Sequence, residues 1–251
     1  MFEISFIPAF KDNYIWLLSA GGHAVVVDPG EPAPVLARLT AEQLVLDAIL
    51  ITHHHADHQG GIAALLDRYS ATVYGPAKES ITGLHRPLSG GETISLLGQK
   101  IKVLAVPGHT LGHLAYCLAG GVFCGDTLFG AGCGRLFEGS PVQMHASLQA
   151  LAALPDDTRV YCAHEYTEAN LRFALAVEPD NPAVHARVKR VAELRAAGLP
   201  SLPSTLAEEK ATNPFLRCHE PAVIAAALRN AAVDTSPVAV FAAIRQWRNN
   251  F

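Results

Sequence analysis

Charge, paired cysteine motifs and long apolar runs are all scarce in this sequence. Only 17% of the 251 residues are charged and half are apolar, a composition that excludes an intrinsically disordered chain. The formal net charge is −4 and no basic stripe is present, so the long-range attraction that nucleic-acid binders use is missing. No apolar run approaches the ~20 residues of a membrane helix. We therefore expect a compact globular protein that has neither nucleic acid nor membrane as a partner.

The cysteine pattern and the N-terminal residues indicate the cellular compartment of the protein. The five cysteines are odd in number and form no CxxC pairing, which favours a reduced, cytoplasmic setting. The opening stretch MFEISFIPAFKDNYIW lacks the charged start and the continuous apolar stretch of a signal peptide. We expect a cytoplasmic protein. The sequence does not set the oligomeric state, and a monomer is favoured.

The predicted elements change character near His164. Before it, short β-type runs alternate with turns and helices; the predicted strands are EISFIP, YIWLLSA, HAVVVD, LDAILI, ATVYGP, KIKVLAVPG, LAYCLAG, GVFCGD and TRVYCAH. Helices are predicted before this point at Pro34–Leu44, Gly60–Tyr69 and Pro141–Leu154, and after it at Glu165–Val177, Pro182–Ala197, Pro221–Ala232 and Val238–Trp247. The pattern predicts an α/β domain over residues 1–165 and a helical domain over residues 166–251.

One short segment concentrates metal-binding side chains. Residues 53–58 read HHHADH, four histidines and an aspartate in six positions, directly after a mostly apolar predicted strand. Crowded imidazoles repel each other when protonated and bury poorly when unpaired, and a metal ion removes both problems. Imidazoles combined with carboxylates suit zinc, iron or manganese. The segment therefore predicts a metal site.

Spacing divides the segment between two ions. His53 and His55 are two residues apart, so their side chains share a face if the chain is extended, while His54 points the other way. Asp57 and His58 follow where the chain turns into a helix, and they are placed to address a second metal. We expect His54 not to be a ligand.

Further ligand-type residues each follow a predicted strand. His109 closes KVLAVPGH, Asp126 closes GVFCGD and His164 closes RVYCAH. Ligands at successive strand ends converge on one edge of a sheet. Asp28, in VVVDPG, and Thr52 are candidates to orient a ligating imidazole by a hydrogen bond.

Four motifs carry a family resemblance. THHHADH, PGHTLGH, CGDTLFGAGCGR and CAHEYT resemble the successive motifs of the metallo-β-lactamase superfamily. Together with the tail NPFLRC…AIRQWRNNF they resemble the glyoxalase II family, whose members are hydroxyacylglutathione hydrolases. The resemblance covers nearly the whole chain and implies an αββα sandwich followed by a small helical domain that binds glutathione.

The resemblance also implies a binuclear metal site. One ion would be held by His53, His55 and His109, the other by Asp57, His58 and His164, and Asp126 would bridge both. The implied ions are two divalent cations, zinc in the first instance, with iron and manganese left open. His113, which lies in PGHTLGH, is not expected to be a ligand.

The implied reaction is thioester hydrolysis. A hydroxide bridging the two metals would cleave S-D-lactoylglutathione to D-lactate and glutathione, the second step of methylglyoxal detoxification, with Asp57 and Asp126 in catalytic roles. The implied glutathione-binding residues are Arg135, Phe137, Tyr166, Arg245 and Arg248. Phe137 stands where the eukaryotic form has tyrosine, so one hydrogen bond to glutathione is absent.

Other functions remain open from the sequence. A glutathione persulfide dioxygenase of the same superfamily would use a single iron, and the full second ligand set together with the helical domain argues against it. A nuclease is disfavoured by the acidic charge, and a lactonase would leave the basic pocket unexplained. A non-catalytic metal-binding protein is least favoured, because all seven ligand positions are filled.

Overall fold

The computed structural model describes residues 2–251, which form two compact units. Unit 1 runs to Ala105 and resumes over Thr110–Gly125, whereas unit 2 comprises Val106–His109 and Asp126–Phe251. The domain boundary that the sequence places at residue 165 stays a prediction. Over residues 2–251 no helix is long and apolar enough to cross a membrane.

Unit 1 contains a six-stranded sheet, four antiparallel strands of a second sheet and three helices. The first sheet has the strand order β1 (Glu3–Ala9), β2 (Asn13–Ala20), β3 (His23–Val27), β4 (Val45–Leu50), β5 (Thr72–Pro76) and β6 (Arg86–Leu88). The first three strands pair antiparallel, and β3 to β6 pair in parallel. The second sheet is built from β7 (Thr93–Leu96), β8 (Gln99–Ala105), β9 (Leu114–Leu118) and β10 (Gly121–Gly125). The helices are α1 (Pro32–Ala41), α2 (Ala56–Gln59) and α3 (Ile62–Leu66).

The unit 1 core explains why its strands read as apolar runs. Strands β3 and β4 lie inside the first sheet and their residues are mostly buried, as parallel strands covered on both faces require. Helix α1 places Val35 and Leu39 in the same apolar cluster as Ile49. Between the two sheets, the ring of Trp16 on β2 lies 6.4 Å from the ring of Phe123 on β10. Two sheets packed face to face confirm the predicted sandwich.

Unit 2 is mostly helical. Its strands are short, at β11 (Leu128–Phe129), β12 (Gly132–Cys133), β13 (Arg159–Cys162) and β14 (Ser204–Thr205). Its helices are α4 (Pro141–Ala152), α5 (Thr167–Val177), α6 (Pro182–Ala196), α7 (Leu206–Thr212), α8 (Pro221–Arg229) and α9 (Pro237–Asn249), with a 3-10 turn at Pro214–Leu216.

Local sequence explains how several of these helices begin. Four of them start with a proline, whose missing N–H costs nothing in the first turn. Ser140 forms a capping box with Gln143 at the start of α4, and the side chain of Asn181 caps α6. The predicted helices at 141–154, 165–177, 182–197, 221–232 and 238–247 are confirmed to within a few residues at each end.

The sequence pattern differs from the structure in several places, and it did not predict the short strands β6, β7, β11, β12 and β14. The helix predicted over Gly60–Tyr69 is confined to Ile62–Leu66, and residues 199–212 contain α7, which was not predicted. Helix α7 is capped by the Thr205 side chain and buries Glu209 completely. A buried glutamate breaks the apolar pattern by which an amphipathic helix is recognised, so this helix depends on tertiary contacts.

A buried ion pair explains the position of Glu209. The guanidinium of Arg187, on α6, donates to Glu209 Oε1 at 2.6 Å, and both side chains are buried. Glu209 Oε2 accepts from the backbone N–H of Ala131 at 2.8 Å, and Asn213 Nδ2 donates to the carbonyl of Gly132 at 2.9 Å. Glu209 and Asn213 thereby hold the β11–β12 hairpin onto the helices.

Removing one member of this pair leaves an uncompensated charge in the interior. We expect Arg187→Ala to lower the free energy of unfolding by about 3–5 kcal/mol. Arg190→Ala is the matched control on the same helix, because Arg190 is 54% exposed where it pairs with Glu208, and it should cost about 1 kcal/mol or less. Chemical denaturation of both variants measures the difference. Equal losses would show that the buried pair does not stabilise this unit.

Candidate active site

The histidine-rich segment leaves the carboxyl end of β4 as a bend rather than as an extended strand. His55 occupies the N-cap position of α2, with φ −62° and ψ 146°. His53 Nε2 nevertheless lies 3.0 Å from His55 Nδ1, as the predicted shared face requires. The backbone N–H of His54 donates to Glu79 Oε2 at 2.7 Å. The exclusion of His54 from the ligands stays a prediction.

The imidazoles of unit 1 pack tightly around His53. The ring centroids of His53 and His58 are 4.1 Å apart, and the ring of His113 stacks on that of His53 at 4.7 Å. All three side chains are buried. His58 Nε2 lies 3.4 Å from Asp57 Oδ2. Charges of one sign at such separations repel each other, and a bound divalent ion would remove that repulsion.

Hydrogen bonds behind the rings fix their orientation. Thr52 Oγ1 lies 3.0 Å from His53 Nδ1, and Asp28 Oδ2 lies 3.0 Å from His58 Nδ1. The Asp28 carboxylate also accepts from the backbone N–H and the hydroxyl of Thr52, at 2.8 and 2.7 Å. These contacts confirm that Asp28 and Thr52 orient the imidazoles. Because Nδ1 is occupied, Nε2 of His53 and His58 is the nitrogen presented to an ion.

Unit 2 holds the three other ligand-type residues together. His109 Nε2 lies 3.4 Å from Asp126 Oδ2, and His164 Nε2 lies 3.4 Å from Asp126 Oδ1. The carbonyl of Arg135 lies 2.9 Å from His109 Nδ1 and fixes that ring in the same way. Each oxygen of Asp126 therefore faces a different imidazole, the arrangement that a bridging carboxylate needs.

These spacings fit bound divalent ions. Ligand atoms about 2.1 Å from one tetrahedral ion lie about 3.4 Å from each other, which matches the His58–Asp57, His109–Asp126 and His164–Asp126 separations of 3.4 Å. The same separation is longer than a good hydrogen bond. Buried neutral imidazoles with carboxylates are a donor set for zinc, iron or manganese. Within each unit the residues therefore fit divalent metal ions.

A pocket of about 390 Å³ in unit 2 adjoins two of these residues. All five predicted glutathione-binding residues line it. The complete lining is His109, Asp126, Phe129, Cys133, Arg135, Phe137, Tyr166, Asn170, Arg245 and Arg248. Arg135 is exposed at its edge, Arg248 is half-buried and Phe137 is 62% exposed. Three arginines against one carboxylate make this pocket suited to an anionic ligand.

The arginines differ in what they contact. Arg245 is buried and donates to the carbonyl of Cys133 at 2.7 Å, while its Nε has no hydrogen-bond partner among residues 2–251. Arg248 donates to Asn170 Oδ1 at 3.4 Å. Burial, together with the charges of Arg245 and Arg135, lowers the pKa of Arg248. The accumulated positive charge would be relieved by a bound anion.

Sequence reasoning missed several residues around the site. Phe129, Cys133 and Asn170 line the pocket, and Asn13 Nδ2 donates to Asp57 Oδ2 at 3.0 Å. Asn170 lies on α5, one turn after Tyr166, and this helical spacing could have suggested it. Asn13 precedes Asp57 by 44 residues, and no local pattern points to it.

The two neighbouring histidines give a direct test of ligand assignment. His55→Ala should lower metal content and activity sharply, because His55 Nδ1 faces His53 Nε2 at 3.0 Å. His54→Ala keeps the backbone N–H that contacts Glu79 and should leave metal content nearly unchanged. Metal analysis of both purified variants checks this, and similar losses in the two would refute the assignment.

Comparison with known families agrees with this geometry. The metallo-β-lactamase superfamily matches residues 10–164, and the hydroxyacylglutathione hydrolase C-terminus matches residues 165–251. A hydroxyacylglutathione hydrolase from Dechloromonas aromatica (strain RCB) is 68% identical over the whole of both chains.

Two solved structures are more distant. ETHE1 from Myxococcus xanthus is 28% identical with a TM-score of 0.66, and the match covers 86% of this chain and 84% of that one. TTHA1623, crystallised in a di-iron-bound form, is 33% identical with a TM-score of 0.55, over 63% of this chain and 90% of that one. This chain belongs to the hydroxyacylglutathione hydrolase family of the metallo-β-lactamase superfamily. This assignment follows from the full-length identity to the Dechloromonas aromatica protein and from the two family matches, and the ligand geometry agrees with it.

Proposed function

We propose that this enzyme hydrolyses S-D-lactoylglutathione and related 2-hydroxyacyl glutathione thioesters to the hydroxy acid and glutathione. The observation that carries the proposal is one cavity in unit 2 that is lined by His109 and Asp126 and also by three arginines. A thioester of a tripeptide has its reacting carbonyl and its terminal carboxylates far apart. A cavity with ligand-type residues and separate cationic groups accommodates both parts. The proposed place of the reaction is the second step of methylglyoxal detoxification.

We further propose that two divalent ions share the seven ligand-type residues. His53, His55 and His109 would hold one ion, Asp57, His58 and His164 the other, and Asp126 would contact both. The separations within each unit support this division, as does the di-iron form of the similar protein TTHA1623. Zinc is the first candidate, and the donor set also accepts iron or manganese.

The chain's own residues then position the reactants. When bound, the ions lower the pKa of water to roughly 7 and polarise the thioester carbonyl. Asp57 orients the attacking oxygen, and the hydrogen bond from Asn13 restricts rotation of that carboxylate. A carbon–oxygen bond forms and the carbon–sulfur bond breaks. The thiol of glutathione has a pKa of about 8.5, by analogy with free cysteine. The thiolate therefore leaves without a dedicated general acid.

The pocket residues hold the peptide part of the substrate. Arg135 and Arg248 pair with glutathione carboxylates. Arg245 supports the pocket wall through its hydrogen bond to the Cys133 carbonyl and adds a positive charge to the pocket lining. The ring of Tyr166 stacks on that of His164, with centroids 4.7 Å apart, and Tyr166 lines the pocket. Phe137 contributes an apolar face against His109 at 5.2 Å and lacks a hydroxyl for the peptide.

The direct test combines a thioester assay with metal analysis of the same sample. Purified protein should cleave S-D-lactoylglutathione and contain close to two ions per chain. The alternative function, a persulfide dioxygenase with a single iron, predicts oxygen consumption with glutathione persulfide instead. Oxygen consumption without thioester cleavage would reject the proposed reaction.

Arg248 gives the sharpest test of glutathione recognition. Arg248→Ala should lower kcat/KM for the glutathione thioester about tenfold, because a hydrogen bond to a charged group contributes about 1.5–3 kcal/mol. Most of the loss should appear in KM, since the contact is remote from the reacting carbonyl. A small thioester without the peptide should be hydrolysed as before.

Arg172→Ala is the matched control for this substitution. Arg172 is an exposed arginine on α5 whose charge also acts on Arg248, but it does not line the pocket. A comparable KM increase in the control would mean that net charge, and not a local contact, attracts the substrate.

Three further expectations stay predictions. They are the assignment of residues 166–251 to glutathione binding, a monomeric state and a cytoplasmic location. The five cysteines are all free and buried, which supports the reducing compartment without establishing it.

A further inference from the structure

We propose that Glu79 is a positioning residue that holds the histidine-rich turn of unit 1 in register with residues 110–113 of the same unit. Glu79 lies in the loop between β5 and β6, outside every motif that the family resemblance uses. This inference rests on the proposed metal site and extends it to a residue outside the seven ligand-type residues.

The carboxylate of Glu79 accepts three hydrogen bonds from two different segments. Oε2 accepts from the backbone N–H of His54 at 2.7 Å. Oε1 accepts from the hydroxyl of Thr110 at 2.5 Å and from the backbone N–H of Gly112 at 2.8 Å. Two short contacts of this kind to one ionised oxygen are charge-assisted and stronger than neutral ones. One side chain therefore connects the segment after β4 to the segment before β9.

The residues that Glu79 contacts are the immediate neighbours of ligand-type histidines. His54 lies between His53 and His55, so fixing its peptide N–H restricts the backbone of both. Thr110 follows His109 in the chain, and Gly112 precedes His113, whose ring stacks on His53. A displacement of the backbone in either segment would therefore shift the neighbouring imidazole rings.

The backbone carbonyl of His54 is also fixed by a hydrogen bond. The side-chain amide of Gln59 donates to the His54 carbonyl and to the carbonyl of Ser80, and it accepts from the backbone N–H of Thr82. Both peptide groups of His54 are thus attached to the same β5–β6 loop. This double attachment explains how a segment without strand hydrogen bonds keeps its shape.

The backbone at Gly112 packs closely against the Glu79 side chain. A Cβ atom added at Gly112 would lie 2.6 Å from Glu79 Cγ and 2.8 Å from its Oε1. A side chain at this position would displace the Glu79 carboxylate from its present contacts. Thr110 is completely buried, so its hydroxyl depends on Glu79 for a strong acceptor.

The test is Glu79→Gln, which replaces an acceptor oxygen by an NH₂ group that would face N–H donors. The metal-free protein is titrated with Zn²⁺ in competition with a chromophoric chelator. We expect Zn²⁺ affinity to fall roughly 10–100-fold, the usual effect of removing a group that orients metal ligands. With metal at saturation, kcat should fall while KM for the glutathione thioester changes little, because the pocket in unit 2 is untouched.

Glu92→Gln is the matched control. Glu92 is also half-buried and also accepts two backbone N–H groups, from Ser89 at 2.7 Å and Gly90 at 2.8 Å, but it belongs to a turn before β7. Both variants should lower the melting temperature of the metal-free protein, and only Glu79→Gln should weaken Zn²⁺ binding. Unchanged affinity in Glu79→Gln, or an equal loss in the control, would overturn the proposal.

A milder substitution covers the case in which Glu79→Gln does not fold. Thr110→Val removes one of the three donors and should weaken Zn²⁺ binding by a smaller factor, which Thr110→Ser should restore. Wild-type affinity in Thr110→Val would then overturn the proposal. The titration needs no substrate, so its outcome stays separate from that of the thioester assay.

Discussion

The hydrogen bonds at the Nδ1 atoms of the histidines are the interactions on which the candidate site depends. Thr52, Asp28 and the carbonyl of Arg135 each occupy one Nδ1, at 2.9–3.0 Å, on His53, His58 and His109 respectively. An imidazole with one nitrogen fixed can present only the other to an ion. A metal site built from such rings loses little entropy when the ion binds, because the rings are already oriented.

The backbone of unit 1 is shaped to bring these partners close. Asp28 adopts a positive φ of 52°, a conformation that few residues other than glycine, asparagine and aspartate accept. Two residues later, a Cβ atom at Gly30 would lie 1.8 Å from the carbonyl oxygen of Asp57. The VVVDPG loop therefore packs directly against the HHHADH turn. Strain and close approach here are the cost of placing a buried carboxylate behind the imidazoles.

The pocket of unit 2 is formed partly by the β11–β12 hairpin, whose backbone is fixed by hydrogen bonds from buried side chains. Glu209 and Asn213 bind the backbone of the β11–β12 hairpin, and Arg245 binds the carbonyl of Cys133 at the hairpin's end. The pocket wall is thus secured by buried charged and amide groups rather than by apolar packing alone. These hydrogen bonds restrict motion of the pocket wall, which favours recognition of a flexible peptide by a preorganised surface.

Local sequence identified the candidate donors. The crowding of residues 53–58 and the placement of His109, Asp126 and His164 after predicted strands required no knowledge of the fold, because each of these patterns is confined to a few consecutive residues. The αββα sandwich was predicted from the family resemblance and not from the local pattern. The sequence named Asp28 and Thr52 as candidates to orient the imidazoles, and only the tertiary structure decided the other orienting contacts. Asn13 is 44 residues from Asp57, Glu79 is 25 from His54, and Arg245 is 112 from Cys133. No periodicity or motif encodes such pairings, because a hydrogen bond depends on distances that the folded chain alone sets.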